Sequence, residues 1–437
     1  MTRLTQFAIA SLLGGLIVSS TAGARPVVEL HVWGLFAESH PYGAAMIRLT
    51  EAFSRKNPDI RVTYEGVAGL SDKLQVAIAS GTGPDVSIVA GGVLPNRADL
   101  PRLLIPLTPY YERDGVEEAF VPGSLNWFSW EGISYAAPLS LDFNFPLVIN
   151  NDMFQSAGID YTDVDSIDAL WDVSFALTRF GPDGEVQVAA MRPWDLYGYH
   201  QGLITWVRAF GGQLSDGKRY TLDNPEVGEA LRWLLAYADT FGRTQMPNDP
   251  ARVAMTPAVL SQIRTHAEGA HVQTDLRLLP FPSARPGAPS IWLGGQWLAI
   301  TAISDHPDEA WEFVRWVTLS TEAAELSRGA FISGALAPHR EGIYLLNPVS
   351  KFDHLQNEYM RLVQHVGVLE HPTMYFWSEL ESMVQRVVID ASLPVEGAQQ
   401  EYNETLNARL VPLLDSSRAQ RRGLSDNVAL VKETRSP

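Results

Sequence analysis

Three kinds of residue grouping in this chain could do chemistry: isolated carboxylates, glycine-rich turns, and aromatics set beside amides. Glu38, Asp142 and Asp195 are the acids of interest, because a glycosidase needs two carboxyls ~5 to ~9 Å apart across the sugar bond. Nothing linear reports that separation, so each acid reads equally as a hydrogen-bonding group for a ligand or as a solvated surface charge. Gly212 to Lys218, GQLSDGK, has the spacing of a phosphate-cradling loop, but Arg219 follows where a Ser or Thr must hold magnesium. The next residues read as a strand, so the helix N-terminus that would receive a phosphate is missing. The ten histidines form no His-Glu-x-x-His pair, and no Gly-x-Ser-x-Gly elbow occurs. These tests leave no cofactor, no metal and no catalytic residue to name.

What remains is aromatic. With 12 Trp, 14 Tyr and 17 Phe, the chain repeatedly sets rings beside amides and acids. Flat rings cover C–H surface while carboxylates and amides take hydroxyls, the combination a sugar ring asks for. Trp33 stands just past the first strand, with Glu38 in the loop beyond. Pro193 to His200 gathers Trp194, Asp195 and Tyr197 around a glycine; it either paves a cleft or closes a turn. Gly294-Gly295-Gln296-Trp297 joins glycines to an amide and an indole. Asp142 and Asn144 contact a ligand or brace a hinge, and Tyr375 and Trp377 flank Phe376 ahead of a late helix. Trp127 and Trp130 read as packing, and Trp171, Trp233, Trp311 and Trp316 fall in helical patterns that point to a core.

The elements that must position these groups follow an α/β grammar. Leu74 to Ala79 is helical and stops at Gly81-Thr82-Gly83-Pro84, after which Val86 to Val89 is a β-branched run suited to a buried strand. Gly91 and Gly92 come next, at the carboxyl end of that strand, where open α/β sheets border a ligand crevice. Upstream, Val27 to Trp33 and Ile60 to Tyr64 read as strands separated by a helix from about Tyr42 to Lys56. Strands are expected at Ile133 to Leu139 and Phe145 to Ile149, with a hinge near Pro138 to Asp142. Later come a helix capped by Asn224, strands near Val253 and Leu276, a crossing at Gly294 to Ile300, and a helix from Asp308 to Leu319. A loop and strand at Phe331 to Pro338, a recrossing near Tyr344 to Pro348 and helices from Tyr359, Ser378 and Ala398 complete the expected order.

The order ASGTGPDV after a helix resembles the solute-binding components of ABC importers, in particular the large sugar-binding family resembling maltose-binding protein. LTEAFSRKNPDIRVTYE, SYAAPLSLDFNFPLVINNDMFQSAGID and LGGQWLAITAISDHPDEAWEFVRWVT resemble that family's other signatures, over most of residues 27 to 410. The resemblance implies a two-lobed periplasmic-binding-protein fold of type II, hinged by several crossover segments, each lobe a mixed, mostly parallel sheet covered by helices. It divides the chain into a signal peptide at 1–24, an N-terminal lobe at 25–139 and 300–345, a C-terminal lobe at 140–299 and 346–412, and a polar tail at 413–437. It further implies a small-molecule solute, of carbohydrate type, and the transmembrane permease of an ABC transporter as partner.

Composition agrees with an exported binding protein. Length sets two domains as the prior, and 46% apolar with 19% charged residues is ordinary for a globular chain. Arg3, an apolar run from Phe7 to Val18 and Ala22-Gly23-Ala24 make a cleavable secretory signal. The absence of cysteine removes disulfides and any lipid anchor on that residue, and for a chain without one the resemblance implies a periplasmic protein that is not a lipoprotein. A net charge of −17 repels nucleic acid. The expected form is a monomer. Two rival readings stay open: a binding protein for glycerol phosphate or a related organophosphate, using Arg192, Arg208 or Arg264, and a secreted carbohydrate-active enzyme.

Overall fold

The computed structural model describes residues 26–412, apart from 92, 95, 194–197, 243–248, 269–273, 286, 288–289, 328–350 and 368–375. Its first sheet starts from β1 (Val28–Gly34), which pairs in parallel with β2 (Ile60–Gly66) and β3 (Val86–Val89). A small hairpin follows, β4 (Ser129–Trp130) with β5 (Ile133–Ser134), before the chain enters β6 (Ala137–Asn144). β7 (Leu147–Asn150), β8 (Arg179–Phe180), β9 (Val186–Met191), β10 (Val253–Pro257) and β11 (Leu276–Leu279) build a second sheet in the order β11-β7-β10-β9-β8. Among the described strands there, only β9 and β10 pair in parallel. β12 (Ile291–Ile300) returns to the first sheet between β3 and β13 (Val366–Gly367), and also pairs antiparallel with β6.

The first sheet is covered by α1 (Pro41–Lys56) and α2 (Leu70–Ser80), with the short α3 (Leu100–Leu103) and α4 (Thr108–Asp114) wrapping its side. α1 begins as its sequence dictates, with Pro41 in the first turn and the His40 ring accepting from the Tyr42 N–H, and ends in Arg55 and Lys56, which suit the helix dipole. α2 stops at Gly81, whose φ of +70° places it in the left-handed region that closes a helix. α5 (Asn151–Ala157), α6 (Ile167–Leu177), α7 (Tyr199–Ala209), α8 (Pro225–Phe241) and α9 (Leu260–Glu268) belong with the second sheet. The Asn224 cap on α8 accepts from Val227 as expected.

α10 (Pro307–Leu319) and α11 (Thr321–Ser327) pack back on α1. α10 buries Ala310, Trp311, Phe313, Val314 and Val317 against the first core, each large side chain contributing roughly 1.5 to 3 kcal/mol. α12 (Lys351–Arg361), α13 (Trp377–Val384) and a helix at 395–412 then pack on the second sheet's side, where Asn403 and Asn407 accept from the Leu222 and Tyr220 amides. The expected helix at Tyr359 thus starts earlier, at Lys351.

One expectation is corrected by the backbone. The interval Ser140 to Asn144, taken as a break between two strands with a hinge beside it, is the body of β6, continuously paired with β12. Apolar and polar residues alternate through it, so a strand carries it with one face to the core. The chain passes between sheets just after, over 145–146, and returns between β11 and β12. The expected strand at Phe331 to Pro338 and the recrossing near Tyr344 lie outside the described residues.

Candidate functional site

Between the two sheets lies a cavity of about 790 Å³. Its floor is the β6–β12 pair, and the two-residue period of a strand decides which side chains reach it. Ser140, Asp142 and Asn144 on β6 share one face, and Trp292, Gly294 and Gln296 oppose them on β12. Gly295 lines it too, with a φ of +132° and so little room that a Cβ would stand 2.0 Å from the Ser140 carbonyl oxygen. Only glycine lets the two strands stay paired at that point.

The first-sheet wall comes from the loop after β1 and the loop after β3. Phe36 and His40 stack at 4.3 Å, and Tyr42 donates or accepts at Ser140 Oγ over 2.9 Å. Gly91 lets the Trp127 ring approach, since a Cβ there would meet it at 3.2 Å. The opposite wall is helical: His200 and Gln201 open α7, Ser261, Arg264 and Thr265 ride on α9, and Trp377 opens α13 with its ring 5.2 Å from His200. His200 is fixed by Glu381, whose Oε2 accepts from its backbone N–H at 2.8 Å and lies 2.9 Å from Nδ1.

The indoles at the floor have spent their donors. Trp127 donates to the Leu293 carbonyl and Trp292 to Thr205 Oγ1 at 3.2 Å, so both present only ring faces to the cavity. The acceptors differ. Asp142 Oδ1, Asn144 Oδ1 and Gln296 Oε1 are enclosed and meet no hydrogen-bond partner among the described residues. Burial pushes the Asp142 carboxyl up to about 8, with the Tyr359 hydroxyl beside it pulling the other way. Unpartnered buried acceptors are costly, and three on one cavity face mark a place prepared for donors from outside.

Of the residues singled out in the sequence, Gly91, Asp142, Asn144, Gly295, Gln296 and Trp377 line this cavity. Trp33 packs half-buried against the core and Glu38 is exposed on the loop; neither lines it. Trp297 is fully buried between Trp127 and Phe128, donating to the Ser124 carbonyl, because it follows Gln296 and so points to the other face of β12. Gly92, Trp194, Asp195, Tyr197 and Tyr375 lie outside the described residues. Sequence reasoning missed Phe36, His40, Tyr42 and Trp292, read Trp127 as packing, and took nothing from α9 but Arg264. Phe36 to Tyr42 stood at the same strand end that singled out Trp33, and Trp292 is in step with Gly294 and Gln296; α9 gave no comparable signal. Of the three arginines considered for a phosphate, only Arg264 lines the cavity, and Arg208 is buried.

Known proteins agree with this architecture. The family described as bacterial extracellular solute-binding protein matches over residues 37–324. A maltotriose-binding protein of Pyrococcus abyssi is 22% identical over 371 residues, covering 82% of this chain and 78% of its own. Among solved structures, the sugar-binding protein MalE from Xanthomonas citri superposes with a TM-score of 0.72 at 18% identity, covering 91% of this chain and 99% of that one. CpMnBP1 with mannotriose bound gives 0.68 at 23% identity, over 86% and 99%. At these identities the structural likeness establishes the fold: two lobes of the periplasmic binding type.

Proposed function

Because the chain belongs to the bacterial extracellular solute-binding proteins, we propose that it binds a sugar, oligosaccharide or polyol in the cleft and delivers it to an ABC transporter permease. The observation that carries this reading is the cleft floor, where three unpartnered acceptor oxygens stand beside the indole faces of Trp127 and Trp292. Hydroxyls supply the missing donors, and the rings cover the C–H faces between them. Ligand contacts from both walls favour the closed arrangement over the open one, which is all the energy closure requires. The ligands of two similar proteins, maltotriose and mannotriose, are molecules of this kind.

An organophosphate fits less well. A phosphate asks for donors and positive charge, whereas two of the enclosed unpartnered atoms here are amide oxygens and the third belongs to a carboxyl. Arg264 is the cation on the described walls, and it has partners of its own. The proposal extends to export by the 1–24 signal, a periplasmic address without a lipid anchor, a monomeric state and an absence of turnover.

Thermal-shift screening of malto- and manno-oligosaccharides, monosaccharides, polyols and glycerol phosphates tests it. A ligand at 100 times its dissociation constant stabilises the folded state by ~2.7 kcal/mol. Stabilisation by a sugar or polyol, with the compound recovered unchanged, is the expected result. Stabilisation by glycerol phosphate alone, or release of cleaved glycan, would replace it with one of the rival functions.

A further inference from the structure

The three open acceptors share more than a cavity. In register, Asp142 faces Gly294, Asn144 faces Trp292 and Gln296 faces Ser140, so the carboxyl sits between the two amides on one sheet face. Asp142 stands about 7 Å at Cα from Asn144 along β6, and Gln296 stands on the carboxyl's other side, so each amide can share a small group with Asp142. Gly294 keeps the space clear: a Cβ there would stand 2.5 Å from Asn144 Nδ2. Whichever way the two amides are turned, an ionised Asp142 is acceptor-only.

A hydroxyl brings one donor to such a place, while an ammonium brings three and a positive charge. A buried carboxylate without a cation beside it is unfavourable until it is protonated or paired. Resting on the sugar-binding reading of the cleft, we infer that the ligand carries a protonated amine that docks among Asp142, Asn144 and Gln296: an amino sugar, or an oligosaccharide containing one. The faces of Trp127 and Trp292 suit a cation as well as a sugar ring.

Among the described residues, the other titratable and charged groups around the cleft do not supply the missing charge. Tyr359 on α12 lies beside Asp142 and donates to the Phe143 carbonyl, and Tyr42 on α1 is hydrogen-bonded to Ser140. His40 accepts from the Tyr42 amide, His200 on α7 is held by Glu381 of α13, and Arg264 on α9 has an interaction of its own. Burial holds a proton on Asp142 until about pH 8. An arriving ammonium displaces that proton, so binding at neutral pH releases one to solvent.

Calorimetric titration of the whole protein decides the matter. The probes are glucosamine, mannosamine and deacetylated chitobiose to chitotetraose, each beside its N-acetylated and hydroxyl counterparts. The amine should bind at least about tenfold more tightly than either counterpart, as a charge-assisted hydrogen bond allows. Titrations in two buffers of different ionisation heat should show proton release. Asp142→Asn should close the gap between amine and hydroxyl forms, and Gln296→Met, nearly isosteric, should narrow it. Equal affinity for amine and hydroxyl members overturns the inference while leaving the sugar-binding function intact, as does an amine preference that survives Asp142→Asn. Failure of every member, and of malto- and manno-oligosaccharides, removes both.

Discussion

Two aspartates on the first-sheet side of the molecule live under opposite rules. Asp114, at the end of α4, accepts from Arg113 Nε at 2.8 Å and from the buried Trp311 indole at 2.7 Å, and Arg315 lies 3.3 Å away. The Arg113 bond, followed by that from Trp311, holds its carboxyl down at about 2. Asp142 has burial without a cation among the described residues, and stands at about 8. The first ties α4 to α10 and has nothing left to offer; the second has the Tyr359 hydroxyl beside it, but among the described residues its Oδ1 meets no partner. A polar group that builds the protein closes its hydrogen bonds inside, and one kept for a visitor does not. The indoles follow the same division, since Trp127, Trp292, Trp297 and Trp311 have all placed their N–H groups and differ only in whether a ring face is left open.

The strongest way to break this contrast is to exchange the fates of the two acids. Asp142→Ala should raise the dissociation constant of the best sugar found in the thermal screen by roughly 10- to 100-fold, since a buried ligand hydroxyl left without its partner costs ~1 to 3 kcal/mol. The same variant should be more resistant to urea without ligand, because it loses an uncompensated buried group. Asp114→Ala should do the reverse. Stranding the Trp311 indole N–H inside the core costs about 1 to 3 kcal/mol of stability, read from urea unfolding, while titration should find the affinity unchanged. Loss of affinity in the second variant, or of stability in the first, would dissolve the distinction.

Acidity sharpens it further. Free aspartate titrates near ~3.9. The raised Asp142 carboxyl keeps its proton in the folded protein when the unfolded chain has lost it, so its favourable contribution is full below ~3.9 and is lost as pH rises through about 8. The lowered Asp114 carboxyl contributes above ~3.9 and loses that contribution as pH falls through about 2. In urea unfolding, the stability advantage of Asp142→Asn over the parent should therefore widen from pH 5 to pH 8. The deficit of Asp114→Ala should shrink between pH 4 and pH 2. A gap that stays flat from pH 5 to 8 would mean that burial does not hold the Asp142 proton.

How much of this could be read along the chain depends on which force decides each feature. Local rules were legible: the glycine stop of α2, the buried run of β3 and the asparagine cap of α8 are set by residues within a few positions of one another. The floor was half legible. Glycines beside an amide and acids at a strand end marked the right strands, but Gln296 and Trp297 are adjacent, and which of them faces the cavity is fixed by pairing with β6. Trp127 and α9 were not legible, because their place depends on packing between segments more than 100 residues apart, as in the Trp127 bond to Leu293. Trp33 and Glu38 show the same limit from the other side. They stand at the right end of β1, yet it is their neighbours Phe36, His40 and Tyr42 that reach the cleft.

The smallest effect tests the contrast most closely, since it separates position from satisfaction. Tyr42 lines the cleft as Asp142 does, but its hydroxyl is buried and paired with Ser140 Oγ at 2.9 Å, and burial raises it well above the usual phenol range. If a closed hydrogen bond marks scaffold wherever it lies, Tyr42→Phe should cost about 0.5 to 1.5 kcal/mol in urea unfolding and leave the sugar dissociation constant within about threefold. If instead mere presence on the cleft wall determines a role in binding, affinity should fall toward that of Asp142→Ala with little change in stability. The two outcomes lie on different axes, so one unfolding curve and one titration distinguish a ligand contact from the framework that holds β6 against α1.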